Sequence, residues 1–249
     1  MEKCAFISDV HINPLFPNRL WRFEAFLNYY RKALFSSLYL LGDIFDLWVG
    51  DRHLELSEFQ DAIKTISNFC SKGTQVFFIK GNRDYLLDTQ FAAATGIKIL
   101  GVSASIKLGR KQAFLTHGDF LYNKNTRYNL YRKMMENTLV KNAFTSIPPK
   151  ITRTIASGWK MLLDKNKKAK GPNFNLIEPA KDIFSAGYDV IICGHLHTPR
   201  KIQLKIGNKE KEIFILGSWD KGCEYLEYEN GNFNLSKFLI YKNENERAK

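Results

Sequence analysis

Gly42-Asp43-Ile44-Phe45-Asp46 directly follows Ser37–Leu41, a short run rich in apolar residues that ends in Leu40-Leu41. The run has strand length and strand composition, and the glycine lets the chain turn sharply so that the carboxylate after it stands at the strand end. The same layout recurs along the chain. Ser8-Asp9-Val10-His11 follows Cys4–Ile7, and Gly81-Asn82-Arg83-Asp84 follows Gln75–Ile79. Thr116-His117-Gly118-Asp119 follows Gln112–Leu115, and Gly194-His195-Leu196-His197 follows Asp189–Cys193. Strands apolar nearly throughout are buried on both faces, so the polar blocks are expected to converge at one rim of a sheet. The convergence would gather Asp9, His11, Asp43, Asn82, His117, His195 and His197. Four of the five histidines in the chain fall in these blocks.

This donor set is oxygen and nitrogen without thiolate, which suits divalent ions such as Mn²⁺, Fe²⁺ or Zn²⁺. Seven donors are too many for one ion. Two ions sharing one carboxylate, with Asp43 the natural bridge, would sit about 3.5–4 Å apart and clamp both oxygens of a phosphoryl transfer. Asp46, Asp84 and Asp119 are placed to orient the ligands. His53, the fifth histidine, has no such company and is expected at the surface.

The bulk properties describe an ordinary folded protein. A chain of 249 residues with 45% hydrophobic composition can bury a sizeable core. No apolar run approaches the roughly 18–20 residues of a membrane span. The first strand begins almost at once, leaving no room for an export signal, so a cytoplasmic location is expected. Cys4, Cys70, Cys193 and Cys223 form no CxxC pair and are expected as free thiols.

Strand runs alternate with the helical patterns Leu20–Ala33 and Ser57–Ser71, which predicts α/β architecture. A further strand is expected at Glu212–Leu216. Residues 122–178 break the alternation with two amphipathic stretches around Pro148-Pro149. The expected organisation is therefore a core of 1–121 and 179–249 and a helical insertion or cap of 122–178. The net charge is +12, and within 122–177 twelve Lys and Arg stand against only Glu136 and Asp164. A charge excess so placed suits an anionic partner.

Together these blocks resemble the calcineurin-like metallophosphoesterase superfamily. Within it, Gly42–Asp51, Gly81–Leu86, His117–Leu121 with Tyr128 downstream, and Leu216-Gly217-Ser218-Trp219 resemble the UDP-2,3-diacylglucosamine diphosphatase family of the lipid A pathway. Arg83 is the discriminating letter, since many relatives with other substrates carry histidine there. The resemblance implies a four-layer αββα metallophosphoesterase sandwich with a helical cap insertion over the acyl chains. It implies two divalent metal ions, Mn²⁺ by expectation. Asp9, His11, Asp43 and His197 would hold one, and Asp43, Asn82, His117 and His195 the other.

The implied reaction splits the pyrophosphate of UDP-2,3-diacylglucosamine into UMP and 2,3-diacylglucosamine 1-phosphate, a metal-bridging hydroxide attacking the α-phosphorus. Asn82, Arg83 and His195 are the expected catalytic residues, and they are also expected to touch the substrate. Asn125, Tyr128, Lys167 and Lys170 are further expected substrate contacts. Arg83 could grip a phosphate oxygen bidentately, or it could form a structural salt bridge to Asp46 or Asp84. The expected partners are a UDP-linked glycolipid and an anionic inner-membrane surface, with no nucleic acid and a monomeric chain.

Several positions depart from the family pattern. Lys124-Asn125 replaces an acidic pair, Leu163 and Lys167 stand where serine and asparagine are expected, and the last block reads Gly-His-Leu-His-Thr-Pro. Alternatives on the same fold are a protein phosphatase, a nucleotide phosphodiesterase, a nuclease, or a non-catalytic scaffold.

Overall fold

A computed structural model describes residues 3–48, 50–122, 151, 176–220 and 222–239. The expected cap, with Asn125, Tyr128, Lys167 and Lys170, lies almost wholly outside these residues. Two sheets form the core. The first contains β1 (Lys3–Ile7), β2 (Ser37–Leu41), β3 (Gln75–Ile79), β4 (Lys98–Ile99), β10 (Glu224–Glu229) and β11 (Asn232–Lys237), in the order β11-β10-β1-β2-β3-β4. The second contains β5 (Ser103–Leu108), β6 (Lys111–Thr116), β7 (Val190–Cys193), β8 (Arg200–Ile206) and β9 (Lys209–Ile215), in the order β5-β6-β7-β9-β8. β1 to β4 are mutually parallel, as are β6, β7 and β9.

The layering follows from the two-residue period of a strand. In β1, Ala5 and Ile7 face one apolar cluster while Cys4 and Phe6 face another. β2 divides likewise, with Leu38 and Leu40 on one side and Tyr39 and Leu41 on the other. The cluster holding Cys4, Phe6 and Leu41 also holds Leu115, Val190, Ile192 and Phe214 of the second sheet, so it lies between the sheets. Ile191, Cys193, Ile213 and Ile215 point away from it and pack on Ala180 and Phe184 of the helix Ile177–Ser185. The other outer face carries α1 (Pro17–Lys32) and α2 (Ser57–Cys70), giving helix, sheet, sheet, helix.

Both outer helices are amphipathic by placement. α1 buries Phe23, Phe26, Leu27 and Tyr30, and α2 buries Phe59, Ala62, Ile63, Ile66 and Phe69. The expected start of α1 at Leu20 falls a turn late. Pro17 stands at the first turn, where a missing N–H leaves no bond unmade. Trp219, buried against Phe23 and Phe26, pins α1 to the loop before β10.

Five strands lay outside the expected runs: β4, β5, β8, β10 and β11. All are partly exposed or charged and lack a continuous apolar stretch. The hairpin β10–β11 still had a signal, because Asn230 and Gly231 both take positive φ, as a two-residue primed turn requires. The helix Ile177–Ser185 packs with Leu176 on the second sheet. His53 overturns its surface expectation. It is buried between Trp48 and Phe59, stacked on the latter, because the short 3-10 helix Asp51–Glu55 turns it inward. Cys4, Cys193 and Cys223 are buried and Cys70 is half-buried, and none of the four forms a disulfide among the described residues. Among the described residues, no helix is long and apolar enough to cross a membrane.

Candidate metal centre

All seven expected donors sit on turns at the C-terminal ends of parallel strands. Asp9 and His11 follow β1, Asp43 follows β2, Asn82 follows β3, His117 follows β6, and His195 and His197 follow β7. The loops are laced together by main-chain bonds. Asp9 N–H donates to Gly42 O at 3.1 Å, His11 N–H to Asp43 O at 3.0 Å, and Gly194 N–H to His117 O at 2.9 Å.

The backbone there is strained. Asp9, His11, Asp43, His195 and His197 have φ of 54°, 55°, 54°, 72° and 58°. They are five of the eight non-glycine residues with positive φ among those described. Such conformations cost roughly 1–3 kcal/mol each and persist where surrounding bonds over-determine them, a pattern of functional sites. Two glycines are needed for contact. A Cβ on Gly42 would lie 2.6 Å from Gly81 Cα and 2.9 Å from His117 Nδ1, and one on Gly194 would overlap Ser8 Oγ and Asp9 Oδ2.

The donors fall into two linked groups. In the first, His197 Nε2 lies 3.0 Å from Asp9 Oδ1 and 3.2 Å from His11 Nε2. In the second, Asn82 Oδ1 lies 3.2 Å from His117 Nε2 and 3.0 Å from His195 Nδ1, and the two ring nitrogens are 3.3 Å apart. Asp43 Oδ1 is 3.5 Å from His117 Nε2. His117 Nδ1 donates to Leu41 O at 2.9 Å, which fixes the ring and leaves Nε2 facing the other donors.

The site is electrostatically prepared for a cation. Asp9 Oδ1 and Asp43 Oδ2 are buried carboxylate oxygens that accept no hydrogen bond. Burial alone would raise the Asp9 pKa, but the charges of His197, His117 and His11 hold it well below the usual carboxylate range. Burial alone would lower the pKa of His117, yet Asp43, Asp9 and Asp119 carry it up to about 9. Asp9 with His11 and His197, and Asp9 with Asp43 and His117, each place a ligand atom within 4.8 Å of the others. Asp9 Oδ1 beside His197 Nε2 and Asp43 Oδ1 beside His117 Nε2 set buried carboxylate oxygens against imidazole nitrogens, a donor set that fits divalent metal, which would supply the positive charge the cluster attracts.

Around the donors the acids are spent on geometry. Asp84 accepts from the N–H groups of Gly81 at 2.9 Å, Asp43 at 3.1 Å and Ile44 at 2.7 Å, tying the third loop to the second. Burial and the neighbouring Asp43 push its pKa up to about 7. Arg83 is 5% exposed and its Nη1 donates to Asp46 Oδ1 at 2.7 Å. Of the two partners weighed for it, the salt bridge is to Asp46. Two residues that sequence reasoning passed over reach from α1 to the loop after β1 and to the loop before β10. Arg19 donates to His11 O at 2.9 Å and Arg22 to Trp219 O at 3.0 Å. Only their helix phase could have singled them out.

A four-layer αββα fold that presents a clustered Asp, His and Asn donor set on its strand ends defines a metallophosphoesterase. The calcineurin-like phosphoesterase family model matches residues 3–199, and the chain belongs to that family. A UDP-2,3-diacylglucosamine hydrolase from Blochmanniella pennsylvanica is 31% identical over 246 residues, covering 95% of this chain and 97% of the relative. One from Coxiella burnetii is 27% identical over 244 residues, covering 96% and 99%. Among solved structures, a novel archaeal phosphodiesterase is 13% identical, with a TM-score of 0.49 and coverage of 95% and 99%.

Proposed function

We propose that this protein is a metal-dependent hydrolase that cleaves the pyrophosphate of UDP-2,3-diacylglucosamine, releasing UMP and 2,3-diacylglucosamine 1-phosphate for lipid A synthesis. The observation that carries the substrate is the near full-length similarity to relatives bearing that name. The geometry supports the reaction class. Two divalent ions, Mn²⁺ in our reading, would be held by Asp9, His11, Asp43 and His197 and by Asp43, Asn82, His117 and His195. Bound there, they would supply Lewis-acid charge and an acidified water.

The protein's own residues do the rest. Asp43 lies between the two donor groups and is the ligand both would share. Asn82 presents its amide oxygen to His117 and His195 and keeps them in register. His195, part-buried, stands at the rim where a leaving oxygen can be met. Arg83 brings a guanidinium beside Asp43, with Nε 3.5 Å from Asp43 Oδ2, where it can offset charge on a transferring phosphoryl group.

Asn125, Tyr128, Lys167 and Lys170 complete the substrate site in this proposal. The basic segment 122–177 supports peripheral contact with an anionic membrane on its cytoplasmic face, with the chain acting as a monomer.

The test is Mn²⁺-dependent hydrolysis of UDP-2,3-diacylglucosamine in ¹⁸O water, products weighed by mass spectrometry, with bis-p-nitrophenyl phosphate as control. UMP carrying the label is the expected product. Turnover of the control alone would keep the phosphoesterase class and discard this substrate.

A further inference from the structure

We propose that the turn Pro14-Leu15-Phe16-Pro17, on the loop that carries His11, is a membrane-contact tip that inserts Leu15 and Phe16 into the surface of an anionic lipid bilayer. The proposal rests on the reading of a lipid-linked substrate and deepens the peripheral contact given above, but it stands on other residues than segment 122–177.

Pro14 to Asn18 are all exposed, Leu15 to 76% and Phe16 to 45%. A single exposed leucine is ordinary, but these two are adjacent and are held in place. Leu15 N–H donates to Asn13 Oδ1 and Phe16 N–H to Asn13 O, both at 2.9 Å, and a proline flanks the pair on each side. Phe16 is also the N-cap residue of α1, where serine, threonine, asparagine or aspartate would accept from the first unpaired N–H groups. It makes no such side-chain bond. A position that forgoes a local preference and exposes an aromatic ring is one where function competes with stability.

The apolar surface continues onto α1. Pro17 and Trp21, four residues apart on one helix face, line the same groove, and Trp21 is 43% exposed. Glu24, a turn further, and Asp61 make the rest of that groove polar, which confines the apolar contact to the tip. Charge points to the same occupant. Between Asp9 and Glu24 the chain carries Arg19 and Arg22 and no acidic residue. The Arg19 guanidinium lies 4.7 Å from the centroid of the Phe16 ring, with Asp220 as its ion-pair partner at 3.5 Å. Exposed apolar side chains next to arginine, on a chain of net charge +12, match the layering of an anionic membrane surface. Arg19 also donates to His11 O at 2.9 Å. The tip is therefore tied to the donor rim, and its insertion turns that rim toward the headgroups, where a lipid-linked diphosphate lies.

Sedimentation of the full Mn²⁺-loaded chain with vesicles of phosphatidylethanolamine and phosphatidylglycerol tests this. Leu15→Ser with Phe16→Ser should weaken vesicle binding roughly 50-fold, and Leu15→Ser alone roughly tenfold, from the apolar area each no longer buries. Serine suits the N-cap, so the double variant should melt no lower than wild type. Its turnover of soluble bis-p-nitrophenyl phosphate should be unchanged. Equal vesicle binding by wild type and the double variant would overturn this tip and leave the contact to segment 122–177. A wild type that ignores the vesicles would overturn both membrane contacts, while hydrolysis of UDP-2,3-diacylglucosamine in detergent micelles still reads the substrate independently. Loss of diester turnover in the double variant would mean that the tip serves the metal loops, and a wild-type dimer that the variant splits would mean that it docks a second copy. Either result would overturn the proposal.

Discussion

The main-chain N–H of His195 donates to Asp9 Oδ2 at 2.9 Å, so a donor of one group is oriented by the backbone of a donor of the other. The second oxygen of Asp9 is left to face His197 at 3.0 Å. Ser8 Oγ–H also donates to Oδ2, at 2.7 Å. One carboxylate oxygen is thus committed to structure, and in the proposed centre the other would be left for a metal ion.

Gly194 is a steric requirement of that bond. Replacing it with Ala would drive a methyl into Ser8 and Asp9. We expect Gly194→Ala to destabilise the fold by about 1–3 kcal/mol, as overpacking does, and to weaken Mn²⁺ binding by about 10–100-fold through displaced ligands. Urea unfolding and metal titration measure the two effects, and an unchanged Mn²⁺ affinity would show that Asp9 tolerates the shift.

Asp43 is the carboxylate that both donor groups approach. Asp43→Ala should reduce turnover by more than about 1000-fold, since removing a shared ligand weakens both positions. Metal analysis by mass spectrometry should show fewer than two ions per chain. Retention of substantial activity would refute the shared-ligand assignment.

Metal should stabilise the folded chain, because ions bind the buried carboxylates only when the loops are assembled. At a concentration of Mn²⁺ a hundredfold above its dissociation constant, the gain is about 2.7 kcal/mol. For a chain of this size that raises Tm by about 5–10 °C. A thermal melt with Mn²⁺ and with a chelator should show the difference, and coincident melts would argue against a structural link between metal and fold.

His53 sets an acid limit on stability away from the centre. Burial lowers its pKa from 6.5 to about 4. Between those values the unfolded chain binds a proton that the folded chain refuses, so stability falls as pH drops. The contribution lost between pH 7 and pH 5 is about 2 kcal/mol. Urea unfolding of His53→Phe should show a shallower decline over that interval, and parallel declines for the two proteins would place the acid lability elsewhere.

Much of the fold was legible because buried parallel strands leave a plain mark. Ser37–Leu41 and Gln75–Ile79 are strands from their expected first residue to their last, and each carries its polar block on the following turn. β8 and β11 were not legible. As sheet edges they carry lysine and asparagine that a central strand would reject, and such a pattern resembles a loop. His53 was misjudged for a related reason: a lone imidazole gives no sign of whether aromatic rings will close over it.

By itself, then, the sequence determined which residue types stand at the ends of which strands, because composition, glycine placement and apolar runs are local properties. Those sufficed for the family and for the set of candidate donors. Only the tertiary structure decided how they meet. It brought His117 and His195 to either side of Asn82, set His197 against Asp9 from 188 positions away, and engaged Arg83 with Asp46. These pairings depend on how two sheets stack and how strained turns are bonded across them, and nothing local to either partner encodes that distance.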